Sequence, residues 1–238
     1  MKQKTVAILQ SNYIPWKGNF HMMRLVDEYV LYDDVQFTRR DWRNRNKIKT
    51  PTGLRWLTIP VKSVSNHQSK ECSQRICDTE ISDVFWAEKH WKEIESNYSI
   101  APFWKMYETK LKETYETAAK ETLLSMVNYH FLSKLMELLV FSTTITWSMD
   151  YSAKGHKTDR LLDILQKAEA TDYLSGPLAK DYIENEKFDK AGIALHWMEY
   201  GPYPEYQQLY PPFEHGVSVL DMLFMLGKDT PSFIWNNE

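Results

Sequence analysis

Two short apolar runs, Val6-Ala7-Ile8-Leu9 and Tyr29-Val30-Leu31-Tyr32, constrain this chain more than any other feature. Neither alternates with polar residues, so each reads as a strand covered on both faces, as in parallel sheets. Asn12, Pro15 and Gly18 are turn formers that stop the first strand. From about Asn19 to Glu28, Phe20, Met22, Met23 and Val26 fall near helical spacing. Strand, loop, helix and strand in this order predict a βαβ unit with a right-handed crossover. Ligands of an open parallel sheet bind beyond the carboxyl ends of its strands. The loops Gln10–Gly18 and Asp33–Phe37 both belong at that edge.

Residues 38–55 read as a loop, with a turn signal at Thr50-Pro51-Thr52-Gly53; alternatively they hold one arm of a hairpin whose second arm is Trp56–Val61. Residues 62–75 are polar and predict a mobile loop, and Arg75–Asp78 a brief strand. Residues 83–141 are helical in pattern, ending in a long amphipathic helix over Leu123–Val140. Strands at Thr143–Met149, Asp172–Ser175 and Gly192–Glu199 then alternate with helices at Asp159–Ala168 and Val217–Gly227. The expectation is one α/β domain over 1–238, with a mainly parallel, Rossmann-like sheet and a helical insertion at about 83–142.

Composition narrows the function. The 238 residues are 43% hydrophobic, enough for a sizeable core. A net charge of −3 gives no overall basic footprint for nucleic acid, and no apolar stretch is long enough to span a membrane. The amino-terminal segment lacks the long apolar region of a signal peptide, so the expected location is the cytoplasm. Cys72 and Cys77 read as ordinary free thiols. Aromatics reach 14%, with nine Trp and fourteen Tyr. Rings with polar handles suit a binding cleft, and equally a core built of large residues.

Several polar groups are placed for chemistry. In the first loop, Gln10, Asn12 and Lys17 stand before a helix N-terminus that favours anions, while Tyr13 and Trp16 offer ring faces near Gly18. The bland alternative is a plain turn with a packed Trp. Asp33 or Asp34 suits a general base, a sugar-hydroxyl acceptor or a metal ligand, or else a salt bridge to Arg39 or Arg40. Arg39, Arg40, Arg43, Arg45, Lys47 and Lys49, opposed only by Asp41 and interleaved with Trp42, Asn44 and Asn46, suit a diphosphate clamp. Stacked single-stranded nucleic acid or a solvated basic loop are the other readings. Lys157 and Arg160 open a later helix, as phosphate ligands or as surface charge. Ser175-Gly176 reads as a ligand-binding turn, because Ser175 lacks the G-x-S-x-G context of a nucleophile. Of the scattered histidines, which show no metal spacing, His21 and His90 are acid/base candidates, though a lone His is more often structural.

These residues fall into a recognisable set. Gln10-Ser11-Asn12-Tyr13-Ile14-Pro15-Trp16-Lys17-Gly18-Asn19-Phe20, Tyr32-Asp33-Asp34-Val35-Gln36-Phe37, Trp42-Arg43-Asn44-Arg45-Asn46 and Trp56-Leu57-Thr58-Ile59-Pro60-Val61 resemble the WbqC-like proteins, as do Tyr173-Leu174-Ser175-Gly176, Tyr206-Gln207, Phe213 and Ser218-Val219-Leu220-Asp221. One departure is Ser11, where the family usually has proline, which would loosen the loop. The resemblance implies a bacterial protein linked with surface polysaccharide and O-antigen assembly. It implies N-acyl or aminoacyl transfer onto a sugar amine, and supplies no catalytic residues. Tyr13–Asn19 also stands where nucleotidyltransferases and related ligases carry D-P-x-H-x-G-H, although both histidines are missing here. That similarity implies a nucleotidyltransferase or HUP-like variant of the fold.

The expected activity is therefore a transferase acting on a nucleotide sugar or another phosphorylated small molecule, with an ATP-dependent ligase or a non-catalytic sugar-binding scaffold as alternatives. The expected site comprises Asp33, Asp34 and His21 as catalytic groups. Gln10, Asn12, Tyr13, Trp16, Gly18, Gln36, Arg40, Trp42, Arg43, Arg45, Asn46, Lys47, Lys157, Ser175, Gly176, Tyr206 and Gln207 are expected to bind substrate. No resident metal or cofactor is demanded.

Overall fold

The computed structural model describes residues 3–62 and 74–235. Cys72, His67 and most of the polar loop expected over 62–75 lie outside the described residues. The chain forms two compact units from discontinuous segments.

The first unit comprises Met1–Gln10, Gly18–Asp34 and Phe141–Pro202. Its strands are β1 (Thr5–Leu9), β2 (Glu28–Leu31), β5 (Thr144–Trp147), β6 (Asp172–Ser175) and β7 (Ala194–Trp197). They form one parallel sheet in the order β5-β2-β1-β6-β7. The fold is α/β with a Rossmann-like parallel sheet. The apolar runs explain the centre of that order: Val6, Ala7, Val30 and Leu31 are fully buried, as strands covered on both faces require. Helix α5 (Lys157–Lys167) packs Leu161, Leu162, Ile164 and Leu165 onto Val6, Ile8 and Val30, with Tyr173 and Phe188 in the same core. Helix α1 (Lys17–Arg24) starts earlier and ends sooner than its apolar spacing suggests, so Gly18 is a helical residue and not part of the turn. A short helix, α6 (Asn185–Ala191), joins β6 to β7; it has no sequence signal beyond the single buried Phe188.

The second unit comprises Ser11–Lys17, Val35–Val140 and Tyr203–Glu238. Of the two readings of residues 38–55, the hairpin holds for part of the stretch: β3 (Arg45–Thr50) pairs antiparallel with β4 (Gly53–Thr58), so the second arm begins at Gly53 and not at Trp56. The stretch read as a strand at Arg75–Asp78 is a single 3-10 turn, Ile76–Asp78, which buries only Ile76. Helices α2 (Trp86–Tyr98), α3 (Trp104–Ala118) and α4 (Leu124–Leu138) follow. Helices α7 (Val219–Leu226) and α8 (Thr230–Ile234) come last. Aromatic rings fill this core. Tyr13, Trp86, Tyr115 and Phe131 meet edge to face or tilted, and Trp91 stacks on Trp104 at 5.3 Å.

Candidate functional site

In a doubly wound sheet the ligand crevice opens where neighbouring strands send their connections in opposite directions. In the first unit, β1 leads through α1 to β2 on one side, and β6 leads through α6 to β7 on the other. Since β1 and β6 are neighbours, the switch point falls between them. A cavity of about 570 Å³ lies at that point. Leu9 and Gln10 at the end of β1, and Ser175, Gly176 and Pro177 at the end of β6, form part of its wall. Tyr32, Tyr173, Tyr182 and Tyr200 supply rings, and Lys157, the first residue of α5, supplies a cation. The start of α5 adds the positive potential of a helix N-terminus.

The tyrosine hydroxyls serve as neutral donors and acceptors. Burial raises all four, Tyr200 to about 12 and Tyr173 well up. Behind Tyr32, Arg160 on α5 places its guanidinium carbon 5.5 Å from the ring centroid. Arg160 pairs with Asp34, whose other oxygen accepts from Ser148 Oγ at 2.6 Å. The salt bridge of Asp34 is thus made by Arg160, and not by Arg39 or Arg40 as its sequence position suggests: Arg160 is brought to the sheet edge by α5, a relation no local pattern shows. Asp33 is fully buried at the end of β2, and His21 lies part-exposed on α1.

The second unit holds a different group of the expected residues. Asn12, Trp16, Trp42 and Asn46 line a cavity of about 300 Å³ with Pro15 and Gly216. The loop is braced by the hairpin. Asn46 Nδ2 donates to the carbonyls of Tyr13 (3.2 Å) and Ile14 (2.8 Å), and its Oδ1 accepts from the Lys47 amide. Arg43 donates to Asn12 Oδ1 at 2.5 Å and to the Ser11 carbonyl at 3.4 Å. Ser11 does not loosen this loop, since it is buried and accepts from Asn128 Nδ2 at 2.9 Å. Arg45 donates to the Arg40 carbonyl and stacks on Trp56 at 4.1 Å, and Lys47 Nζ lies 5.1 Å from the same ring. Tyr206 is buried and donates to Asp221 at 2.7 Å; Gln207 is exposed, and Gln36 bridges to Arg75.

Two clusters in this unit gather residues that the sequence reading named only separately, Lys17, Tyr206 and Asp221, with others it did not single out. Lys17 is buried, 2.6 Å from His215 Nδ1, with the rings of Tyr203, Tyr206 and Phe213 at 5.0–5.8 Å. Burial lowers its ammonium to about 8, against the pull of Asp221 and Glu205. Asp221 accepts from Tyr98, Tyr206 and Gln208, and burial raises its carboxyl. The aromatic richness of the chain was the available signal for both, but it does not say which rings meet. Among the described residues no group of three or more His, Cys, Asp or Glu side chains is placed to hold a metal ion. Nor is any helix there long and apolar enough to cross a membrane.

The model of the WbqC-like protein family matches residues 10–233. The chain belongs to this family. Over 231 residues it is 42% identical to the uncharacterized protein Rv1507c of Mycobacterium tuberculosis, covering 97% of each chain. No solved structure matches it. The WbqC-like match opens at Gln10, on the wall of the first cavity, and takes in Lys157, Ser175 and Gly176 as well as the Trp16 and Trp42 loops.

Proposed function

We propose that this protein is a transferase of bacterial surface-polysaccharide assembly, acting on a nucleotide-activated amino sugar. The reaction is N-acyl or aminoacyl transfer: the sugar amine attacks an activated acyl carbonyl, an amide bond forms as the bond from the acyl group to its carrier breaks, and the carrier leaves with the proton lost by the amine. The observation that carries this reading is the cavity between β1 and β6, at the switch point of the parallel sheet. In this reading Lys157 and the start of α5 hold the diphosphate. Tyrosine faces stack on the base, and Gln10 and Ser175 hydrogen-bond sugar hydroxyls. Asp34 is assigned to holding Arg160 beneath Tyr32 and not to taking a proton, because both its oxygens are engaged. Membership of the WbqC-like family supports the polysaccharide setting.

Thermal unfolding with UDP- and dTDP-sugars, ATP and acyl-coenzyme A tests the reading. A ligand held only by the folded state at 100 times its Kd stabilises by about 2.7 kcal/mol. Expected are a shift with a nucleotide sugar and at least tenfold weaker binding in Lys157→Ala, whose side chain is exposed. No shift with any nucleotide sugar overturns the proposal, and a shift with ATP alone overturns it in favour of a ligase.

A further inference from the structure

We propose that the Trp16–Trp42 cavity of the second unit is a binding site for a pyranose ring that carries an anionic group. This site is independent of the nucleotide cavity and stands or falls by itself. Its walls are two indoles, a proline and a glycine, with the amides of Asn12 and Asn46 among them. Indole faces suit the C–H face of a sugar ring, and a few fixed polar groups in a mostly apolar wall set orientation. At about 300 Å³ the cavity lies at the small end of ligand sites, the scale of a single ring and not of a whole nucleotide sugar.

The wall is held in place. Asn46 spends its amide on the Tyr13 and Ile14 carbonyls and on the Lys47 amide, which fixes the backbone that carries Trp16. Trp42 packs on Trp56 at 5.3 Å and is still 41% exposed. Charge identifies the substituent. Lys47 Nζ stands 5.8 Å from the Trp42 ring, and among the described residues it has no carboxylate partner. Arg43 and Arg45 lie close enough to depress the Asp41 carboxyl, which burial alone would raise and which the Thr38 hydroxyl also lowers. Arg43 is 3.7 Å from Asp41 and Arg45 is turned onto the Arg40 carbonyl and Trp56, so Lys47 is the cation beside the Trp42 ring that no carboxylate of the described residues offsets. A neutral sugar would leave that charge uncompensated, whereas a carboxylate or phosphate on the ring offsets it.

Saturation-transfer NMR with glucose, glucuronate and glucose 6-phosphate tests the proposal, using wild type, Trp42→Ala, Lys47→Met and Lys157→Ala. Expected is saturation of the ring protons of glucuronate, glucose 6-phosphate or both. The signal should be absent in Trp42→Ala, weakened at least threefold in Lys47→Met, and unchanged in Lys157→Ala. Whichever anionic sugar responds names the source of the charge. Absence of signal from both anionic sugars overturns the proposal. So does a signal that survives Trp42→Ala, or one equal for glucose. Because Lys47→Met leaves the cavity wall in place, it keeps the outcome decisive if Trp42→Ala fails to fold. Failure here leaves the nucleotide shift of the first cavity untouched, and loss of that shift leaves this signal untouched.

Discussion

One buried imidazole shows how a single residue carries both structure and pH dependence. His90 is 7% exposed and lies between two partners. The Thr58 carbonyl, 3.2 Å from Nε2, can only accept, so Nε2 carries the ring proton. Nδ1 therefore accepts from the Tyr13 hydroxyl at 2.9 Å, and that oxygen accepts in turn from Tyr115 at 2.7 Å. This order requires a neutral ring, and burial holds its pKa down at about 4. In the unfolded chain the group titrates near 6.5. Between those values the unfolded state binds a proton that the folded state does not, so stability is full above pH 6.5 and falls as pH drops toward 4. The expected loss from this residue between pH 7 and pH 4.5 is about 2.4 kcal/mol. Urea unfolding at pH 7 and pH 4.5 should show a drop in wild type that exceeds the drop in His90→Gln by that amount. Equal drops would mean that His90 is not the group responsible. His90 was legible in the sequence as a histidine on a helical face and an acid/base candidate, and is instead a buried structural group; nothing local shows that it bonds a tyrosine from a distant segment.

At the scale of elements, legibility followed apolar sequence and not burial. β1 and β2 are apolar runs and declare themselves. β3 does not, because its sequence, Arg45-Asn46-Lys47-Ile48-Lys49-Thr50, is polar, yet Asn46, Ile48, Lys49 and Thr50 are buried. Their polar atoms are satisfied inside the unit: Asn46 by the loop carbonyls, and Lys49 Nζ by the Pro212 carbonyl. A polar strand of this kind reads as loop until its partners are known. α7 is the reverse case, an apolar helix marked at both ends. Ser218 caps its start by accepting from the Leu220 amide at 3.3 Å. Gly227 closes it with φ of +59°, and a Cβ there would fall 2.5 Å from the Phe103 ring. A left-handed residue against a packed aromatic cannot take a side chain without displacing the ring. Gly227→Ala should cost about 2–4 kcal/mol, and Ser218→Ala about 1 kcal/mol. Chemical denaturation of both variants checks the ranking; a Gly227→Ala protein as stable as wild type would show that Phe103 moves freely.

For the molecule as a whole, the placement of charge matters more than its sum. Twenty-nine Lys and Arg against thirty-two Asp and Glu leave −3, while residues 39–49 hold six cations against Asp41 alone. In sequence that cluster reads as a phosphate clamp or a solvated loop, with a nucleic-acid track disfavoured by the acidic remainder of the chain. The fold shows where its side chains are turned. Arg43 is turned onto Asn12, Arg45 onto Trp56 and the Arg40 carbonyl, and Lys49 onto the Pro212 carbonyl. Arg39 and Arg40 remain exposed, with Lys47 half-buried over its two rings. A polyanion track needs a row of cations at phosphate spacing, and only the sum of many such contacts leaves retention at physiological salt, where each contact is weakened. A cluster whose members are spent on internal acceptors lacks such a row, so only local attraction to a single anionic group survives screening. The expectation is that the protein binds an anion exchanger at pH 8 and low salt, as its net charge requires, and passes unretained through heparin at about 0.15 M salt. Retention on heparin beyond about 0.3 M, abolished by Arg39→Ala with Arg40→Ala, would place a polyanion on this face and remove the argument from charge for a single anionic sugar at Trp42.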